Sequence, residues 1–477
     1  MTTGGLNRRK FLSTLGMAAG ACGAGWLGGL NPRAAAAAAA VGSPARRPNI
    51  VLILADDLGY ADVGAHGCKD IPTPHADSIA RGGIRLTSGY VSHPFCSPTR
   101  AGLMTGRYQQ RFGHENNPVY STALDKVGLP LNEVTLPQTL KAAGYVTGVV
   151  GKWHLGAAPH FHPMKRGFDE FFGFLGGGHD YFKAEMEDTP KEYAIPIQRD
   201  GKPVPLTGYL TDVFGSEAAA FIDRHQKEPF FLYLPFNAPH TPLQSPEKYQ
   251  DRVKPIEDAT RLRYAALVAA MDDAVGVVLE KLRTTGLEQD TLVFFLSDNG
   301  GPAPVTHADN APLRGNKGNV TEGGIRVPFF LRWPGRLPAG KTYDEPVISL
   351  DIFPTAVAAT GGQVPADRRL DGVNVLPHVL GQASGPPHDR LFWRTAGGAA
   401  MAVREGRFKV VRTAEKAPEL YDLQNDIGEA RDLAADKPDV VARLVKAYEE
   451  WNKELIPPLW GNPQPAAKKK PAKPPAP

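Results

Sequence analysis

Four short apolar runs between residues 50 and 299 each stop abruptly at polar residues. "NIVLILADD" is apolar from Ile50 to Ala55 and stops at Asp56 and Asp57. "YVTGVVGKWH" stops at Lys152 and His154, "PFFLYLPFNAPH" at Asn237 and His240, and "TLVFFLSDNG" at Asp298 and Asn299. Apolar runs without alternation suit strands buried on both faces of a parallel sheet. The helical patterns between them give the α/β alternation. In such sheets ligands bind beyond the carboxyl ends of the strands, so the four polar endings are expected to converge. The expected fold is therefore α/β, a large, mostly parallel sheet flanked by helices.

A chain of 477 residues, 42% hydrophobic and 22% charged, can bury one large core and a smaller one. The expected catalytic α/β domain spans 46–345. Beyond it, "LFWRTAGGAAMAVREGRFKVVR" and "ELYDL" alternate like antiparallel strands, and "PDVVARLVKAYEEWNKEL" has helical spacing. These give a small C-terminal antiparallel sheet-and-helix subdomain over 346–460. Its Trp393 and Arg394 fit either the rim of a pocket or ordinary core and surface places. No internal repeat is present.

The two ends stand apart. "NRRKFL" (Asn7 to Leu12), an Ala/Gly-rich apolar stretch and "NPRAAAAAAAVGSPA" read as an export signal over 1–41. The Arg8-Arg9 pair before Phe11-Leu12 resembles the twin-arginine type, which carries folded proteins through an export machinery to the periplasm or exterior. An N-terminal membrane anchor is the competing reading. Lipidation of Cys22 fits poorly, because Ala19 stands where leucine is expected. Residues 461–477 form a Pro/Ala/Lys tail unable to bury a core. Arg8, Arg9, Lys10 and Arg33 at one end and Lys468, Lys469, Lys470 and Lys473 at the other outweigh the formal net charge of +4. The body is therefore acidic on balance, which argues against nucleic acid as a partner. No stable membrane insertion is expected of it. Only Cys22, Cys68 and Cys96 exist, too few for a disulfide framework.

The residues at the strand ends have a chemistry in common. Asp56, Asp57, Asp298 and Asn299 offer oxygen only, which suits a hard cation. Ca²⁺ tolerates irregular oxygen sites better than Mg²⁺ and is favoured; zinc would call for His and Cys. Arg100, Lys152 and Lys317 (in "RGNKGNVTEGG") add fixed positive charge, and His154 and His240 can move protons near neutral pH. A divalent cation with three basic side chains describes a pocket for a tetrahedral oxyanion, sulfate or phosphate.

"PFCSPTRAGLMTGRY" at 94–108 places a cysteine beside Ser97, Pro98, Thr99 and Arg100. Proline suits a first helical position, so Pro98 is expected to open a helix with residue 96 at its N-terminus, where amides favour an anion. This stretch resembles the C-x-P-x-R signature of the type I sulfatases, whose cysteine is oxidised to formylglycine. The other motifs follow the same family in order: "ADD" at 55–57, "GKWHLG" at 151–156, "APH" at 238–240, "SDNGG" at 297–301 and "GNKGNVTEGGIRVP" at 315–328. The likeness runs from Pro48 to "ELYDLQNDIGEARDL" at 419–433, and "RFGHENNP" and "NAPHTPLQSPEKY" resemble arylsulfatases and N-acetylgalactosamine-6-sulfatases.

The resemblance implies an alkaline-phosphatase-like core and a formylglycine-generating enzyme as partner. It also implies a sulfated saccharide or aryl sulfate as substrate. By the same resemblance Asp56, Asp57, Asp298, Asn299 and formylglycine 96 bind one Ca²⁺, Arg100 holds the formylglycine, and Lys152 and Lys317 clamp sulfate. His240 protonates the leaving alcohol and His154 assists in removing the proton that collapses the sulfo-intermediate. An aldehyde hydrate suits this task because one hydroxyl attacks sulfur while the other later expels sulfate by C–O cleavage. Some members carry a serine where "GGGHDYF" begins; here glycines lead to His179, a possible substrate contact. Loops at 110–125, 157–195 and 302–314 are expected to shape specificity. Two other readings remain: a formylglycine-dependent phosphonate monoester or phosphodiester hydrolase, and a non-catalytic sulfated-glycan-binding protein.

Overall fold

The computed structural model describes residues 47–186, 193, 195–364, 366–413 and 416–461. The expected export signal with Cys22, and all but the first residue of the expected tail, lie outside the described residues.

Each of the four apolar runs forms a strand. Asn49–Ala55, Phe230–Pro235 and Thr291–Ser297 are buried at every position, and Val146–Lys152 at every position but the first. Alternation sends successive side chains to opposite faces. Ile50, Leu52 and Leu54 enter one core, and Val51, Ile53 and Ala55 the other. Fully burying such a side chain stabilises by about 1.5–3 kcal/mol, so both faces hold the strand and a charge at Ile53 would break it.

The four strands lie in a ten-stranded sheet. From edge to edge it runs Lys341–Tyr343, Ile84–Leu86, Phe329–Arg332, Thr291–Ser297, Asn49–Ala55, Phe230–Pro235, Val146–Lys152, Glu170–Phe174, Ile197–Arg199, Lys202–Val204. The five strands from Thr291–Ser297 to Glu170–Phe174 are parallel. One face carries the helices Pro74–Arg81, Leu210–Arg224 and Ala259–Thr284. The longest of these, Ala259–Thr284, is capped by the Asp258 side chain, which accepts from Arg261 N at 2.7 Å. The other face carries Cys96–Thr105, Leu136–Ala142 and Ile352–Ala359.

The C-terminal part is a four-stranded antiparallel sheet of Leu391–Thr395, Ala400–Glu405, Phe408–Thr413 and Glu419–Asp422. The helix Pro438–Asn452 packs on it through Leu444, Tyr448 and Trp451. This sheet shares a core with the large one, and the described residues form one compact unit. Val347–Ile348 pairs with Gly89–Tyr90, and buried Trp393 donates Nε1–H to Val91 O at 2.7 Å. Trp393 is thus a core residue. Among the described residues, no helix is long and apolar enough to cross a membrane.

Candidate active site

The register of the central strands assembles the site. Ala55 lies opposite Ser297 and Leu54 opposite Pro235, so the three chains leave the sheet side by side. Asp298 N donates to Ala55 O at 3.0 Å, Asp57 N to the Asp298 carboxylate at 3.2 Å, and Asp56 N to Ala238 O at 3.0 Å. The fourth strand bends in just before Lys152. Gly151 has φ +134°, and a Cβ there would sit 1.9 Å from Pro235 O.

The helix Cys96–Thr105, buried throughout, brings up the cysteine. It opens at Cys96 behind an extended Phe95, two residues earlier than Pro98 was expected to open it. Proline is still tolerated there, since amides of a first turn have no intrahelical partner to lose. Cys96 Sγ lies 3.6 Å from Asp56 Oδ1. Burial pushes the thiol up to about 12 against the pull of Lys152 and Lys317, so unmodified Cys96 holds its proton at neutral pH.

Three buried carboxylates meet here, each with its own cation. Lys152 Nζ is 2.5 Å from Asp56, Lys317 Nζ 2.7 Å from Asp57, and Arg100 Nη2 2.7 Å from Asp298. Arg100 donates twice to Asp298 Oδ2 and once, from Nη1, to Lys152 O at 3.3 Å. Burial alone would raise Asp57, but Lys317 and His240 outweigh it and bring the carboxyl down to about 2. Asp298 goes the other way, to about 6, because burial and the neighbouring Asp56 outweigh Arg100. Ligand atoms of Asp56, Asp57, Cys96 and Asp298 all lie within 4.8 Å of one another. Asn299 Nδ2 donates to Asp57 at 2.7 Å, while its Oδ1 is buried with no hydrogen-bond partner. Converging carboxylates and an orphaned amide oxygen are the donors a hard cation takes, so the residues fit such an ion.

Two histidines border this cluster. His240 Nε2 is 3.7 Å from Asp57, and its Nδ1 is 2.7 Å from Thr241 O. Burial, with Lys317 and Lys152, brings His240 down to about 3 although Asp57 opposes them. His154 is buried with Nδ1 unpartnered; burial and then the Lys152 and Arg100 charges hold it well below the ordinary imidazole range.

Comparison with known proteins gives this geometry a family. The sulfatase family profile matches residues 48–362. The chain belongs to the sulfatase family. A second profile, N-sulphoglucosamine sulphohydrolase, C-terminal, matches 316–454. The N-acetylgalactosamine-6-sulfatase of Canis lupus familiaris is 34% identical over 487 residues, 90% of each chain. The crystal structure of Ps i-CgsB in complex with k-i-k-neocarrahexaose is 39% identical, with a TM-score of 0.82 over 87% of this chain and 95% of that one. That of the phosphonate monoester hydrolase of Agrobacterium radiobacter shares the fold alone, at 22% identity and a TM-score of 0.64 over 86% of this chain and 95% of that one. The protein is a sulfuric ester hydrolase with the alkaline-phosphatase-like fold.

Within the sulfatase some expected residues stand elsewhere. The ring nitrogens of fully buried His179 face Asp180 O at 2.6 Å and Ile195 O at 2.8 Å, so His179 braces its own loop and offers no nitrogen to a substrate. Arg394 is also inside, paired with buried Glu115. Cys68 is half-buried, its Sγ 3.1 Å from Asp70 Oδ1.

Other residues near the site carry no sequence signal of their own. Ser97 Oγ donates to His154 O at 2.6 Å and contacts His114 Nε2 at 2.6 Å, and Ser97 N donates to Asn117 Oδ1 at 3.0 Å. His114 and Asn117, in a loop expected to shape specificity, therefore brace the Cys96 helix. A Cβ on Gly177 would lie 2.7 Å from His154 Nε2, and one on Gly178 3.2 Å from His240 Cε1. The glycine run lets its loop press against both histidines.

Proposed function

We propose that this sulfatase hydrolyses a sulfated carbohydrate with formylglycine made from Cys96, and that Asp56, Asp57, Asp298 and Asn299 hold a Ca²⁺ ion beside it. The observation that carries this reading is the convergence of the carboxylates, Cys96 and the unpartnered Asn299 Oδ1. Bound Ca²⁺ would supply fixed positive charge for the sulfate oxygens. Formylglycine hydrate supplies two hydroxyls on one carbon, one to attack sulfur and one to expel sulfate and restore the aldehyde.

The remaining roles belong to the chain's own side chains. Lys152 and Lys317 bind sulfate oxygens, and Arg100 orients residue 96 from the next turn of its helix. The Lys317 and Lys152 charges that help to hold the His240 ring neutral are the ones a bound sulfate offsets; so relieved, His240, its Nδ1–H directed at Thr241 O, takes up a proton at Nε2 and passes it to the departing alcohol oxygen. His154 takes up the proton that must leave the second hydroxyl.

The names of the relatives support a sugar: one is an N-acetylgalactosamine-6-sulfatase, and Ps i-CgsB was solved with k-i-k-neocarrahexaose. Arg8-Arg9 supports export of a folded, already converted enzyme. Lys-Lys at those positions should leave active enzyme in the cytoplasm. The reading is tested by comparing turnover of a sulfated saccharide with that of a phosphate monoester, a phosphate diester and a phosphonate monoester. Preference for the sulfate ester is expected; preference for a phosphorus ester would replace it with the phosphonate hydrolase reading.

A further inference from the structure

The stretch "ELYDLQNDIGEARDL" at 419–433 lies on the last C-terminal strand and the turn after it. Its Glu429 is 1% exposed and has φ +51°, a backbone region that side chains with a Cβ seldom occupy. Such a conformation persists where its surroundings hold it.

Glu429 reaches both ends of the loop that carries Lys317. At the far end, its Oε2 accepts from Glu322 N at 2.9 Å. At the near end, the same oxygen lies 3.6 Å from Arg314 Nε, and Arg314 also donates to Tyr421 and Glu419 of the same stretch at 2.9 and 3.2 Å. Lys409, fully buried, sits between the Glu322 and Glu429 carboxylates at 2.7 and 3.0 Å. The two loop ends are also tied to each other, Gly323 N donating to Arg314 O at 2.8 Å.

From this base the contacts lead into the site. Gly300 N donates to Gly324 O at 3.1 Å, Gly318 N to Pro94 O at 2.9 Å, and Lys317 Nζ meets Asp57 at 2.7 Å. We propose that Glu429 is a positioning residue for Lys317: by accepting from Glu322 N–H and facing the Arg314 charge it sets the loop from which Lys317 reaches the bound sulfate. This rests on the reading of Lys317 as a sulfate-holding side chain.

The test is a double-mutant cycle of K317A and E429A on full-length enzyme. It reads the inhibition constant of inorganic sulfate and kcat/KM for 4-nitrophenyl sulfate. K317A should weaken sulfate inhibition, and E429A should weaken it about tenfold, a size usual for coupled residues. K317A/E429A should be no worse than K317A. E429Q, which keeps an acceptor for Glu322 N–H but no charge for Arg314 or Lys409, should fall between wild type and E429A. It serves in the same cycle if E429A is recovered unfolded. Losses that multiply in the double variant, or Glu429 variants with wild-type sulfate inhibition, would overturn the proposal. If K317A alone leaves sulfate inhibition unchanged, the sulfate-holding reading of Lys317 fails, and the positioning role with it.

Discussion

Replacing His240 with alanine separates proton donation from the rest of the site. The change removes one partly exposed imidazole, whose Nδ1 is 2.7 Å from Thr241 O. Losing one such hydrogen bond costs about 0.5–1.5 kcal/mol. The turn itself stays held, because Tyr181 OH still donates to His240 O at 2.8 Å and to Asn237 O at 3.0 Å. His240→Ala should therefore fold, with a melting temperature close to that of the parent. Its activity should depend on the leaving group. A general acid typically contributes about 10²–10⁴-fold, which is about 3–5 kcal/mol of barrier. A sugar alkoxide needs that proton as it departs, whereas nitrophenolate leaves without it. The assay compares kcat/KM of variant and parent on a sugar sulfate, by released sulfate, and on 4-nitrophenyl sulfate, by absorbance. The loss on the sugar ester should exceed that on the aryl ester by at least about 100-fold. Equal losses on both would refute proton donation by His240.

Chelation followed by dialysis should lower activity and melting temperature together, and Ca²⁺ should restore both. A ligand at 100 times its Kd contributes about 2.7 kcal/mol of stability, so unchanged values would count against a cation at Asp56, Asp57, Asp298 and Asn299. Gly177→Ala places a methyl 2.7 Å from His154 Nε2 and 2.9 Å from its Cε1, which must displace the ring. A shift of about 1 Å in a catalytic group can cost about 10²-fold, so kcat should fall steeply; a wild-type kcat would contradict the placement of His154. His388 Nε2 lies 2.8 and 3.0 Å from the Asp351 carboxylate oxygens. Burial opposes the charged ring, but Asp351 prevails and raises His388 above the ordinary value of 6.5. A raised histidine stabilises fully below its unfolded pKa and loses that contribution as pH rises through the folded one. Melting temperature should accordingly fall across that window in the parent and less in His388→Gln, and identical pH profiles would contradict the pairing.

The sheet was legible because its central strands are apolar on both faces. Ile50 and Val51 serve different cores, and that demand leaves a continuous run in the sequence. The run marks its own end, so Asp56, Asp298 and His240 can be placed beyond strands and their convergence expected. The helix start was misplaced by two residues because the extended Phe95, and not the proline, sets it. His179 was left open between two roles because, in sequence, a histidine in a glycine run looks the same whether its nitrogens face a ligand or, as in this fold, carbonyls. The supports of the site left no trace of that kind. Ser97 on His154 O, Gly177 against His154, and Glu429 between Arg314 and Glu322 are pairings across the fold, and nothing in their local spacing announces them.

The central claim, that residue 96 acts as formylglycine, is tested most directly by mass spectrometry of the peptide containing "PFCSPTR" from active, exported enzyme. The account predicts a peptide in which one oxygen replaces the sulfur and two hydrogens of the cysteine side chain, in proportion to specific activity across preparations. Fully active enzyme carrying only the Cys96 thiol would contradict it.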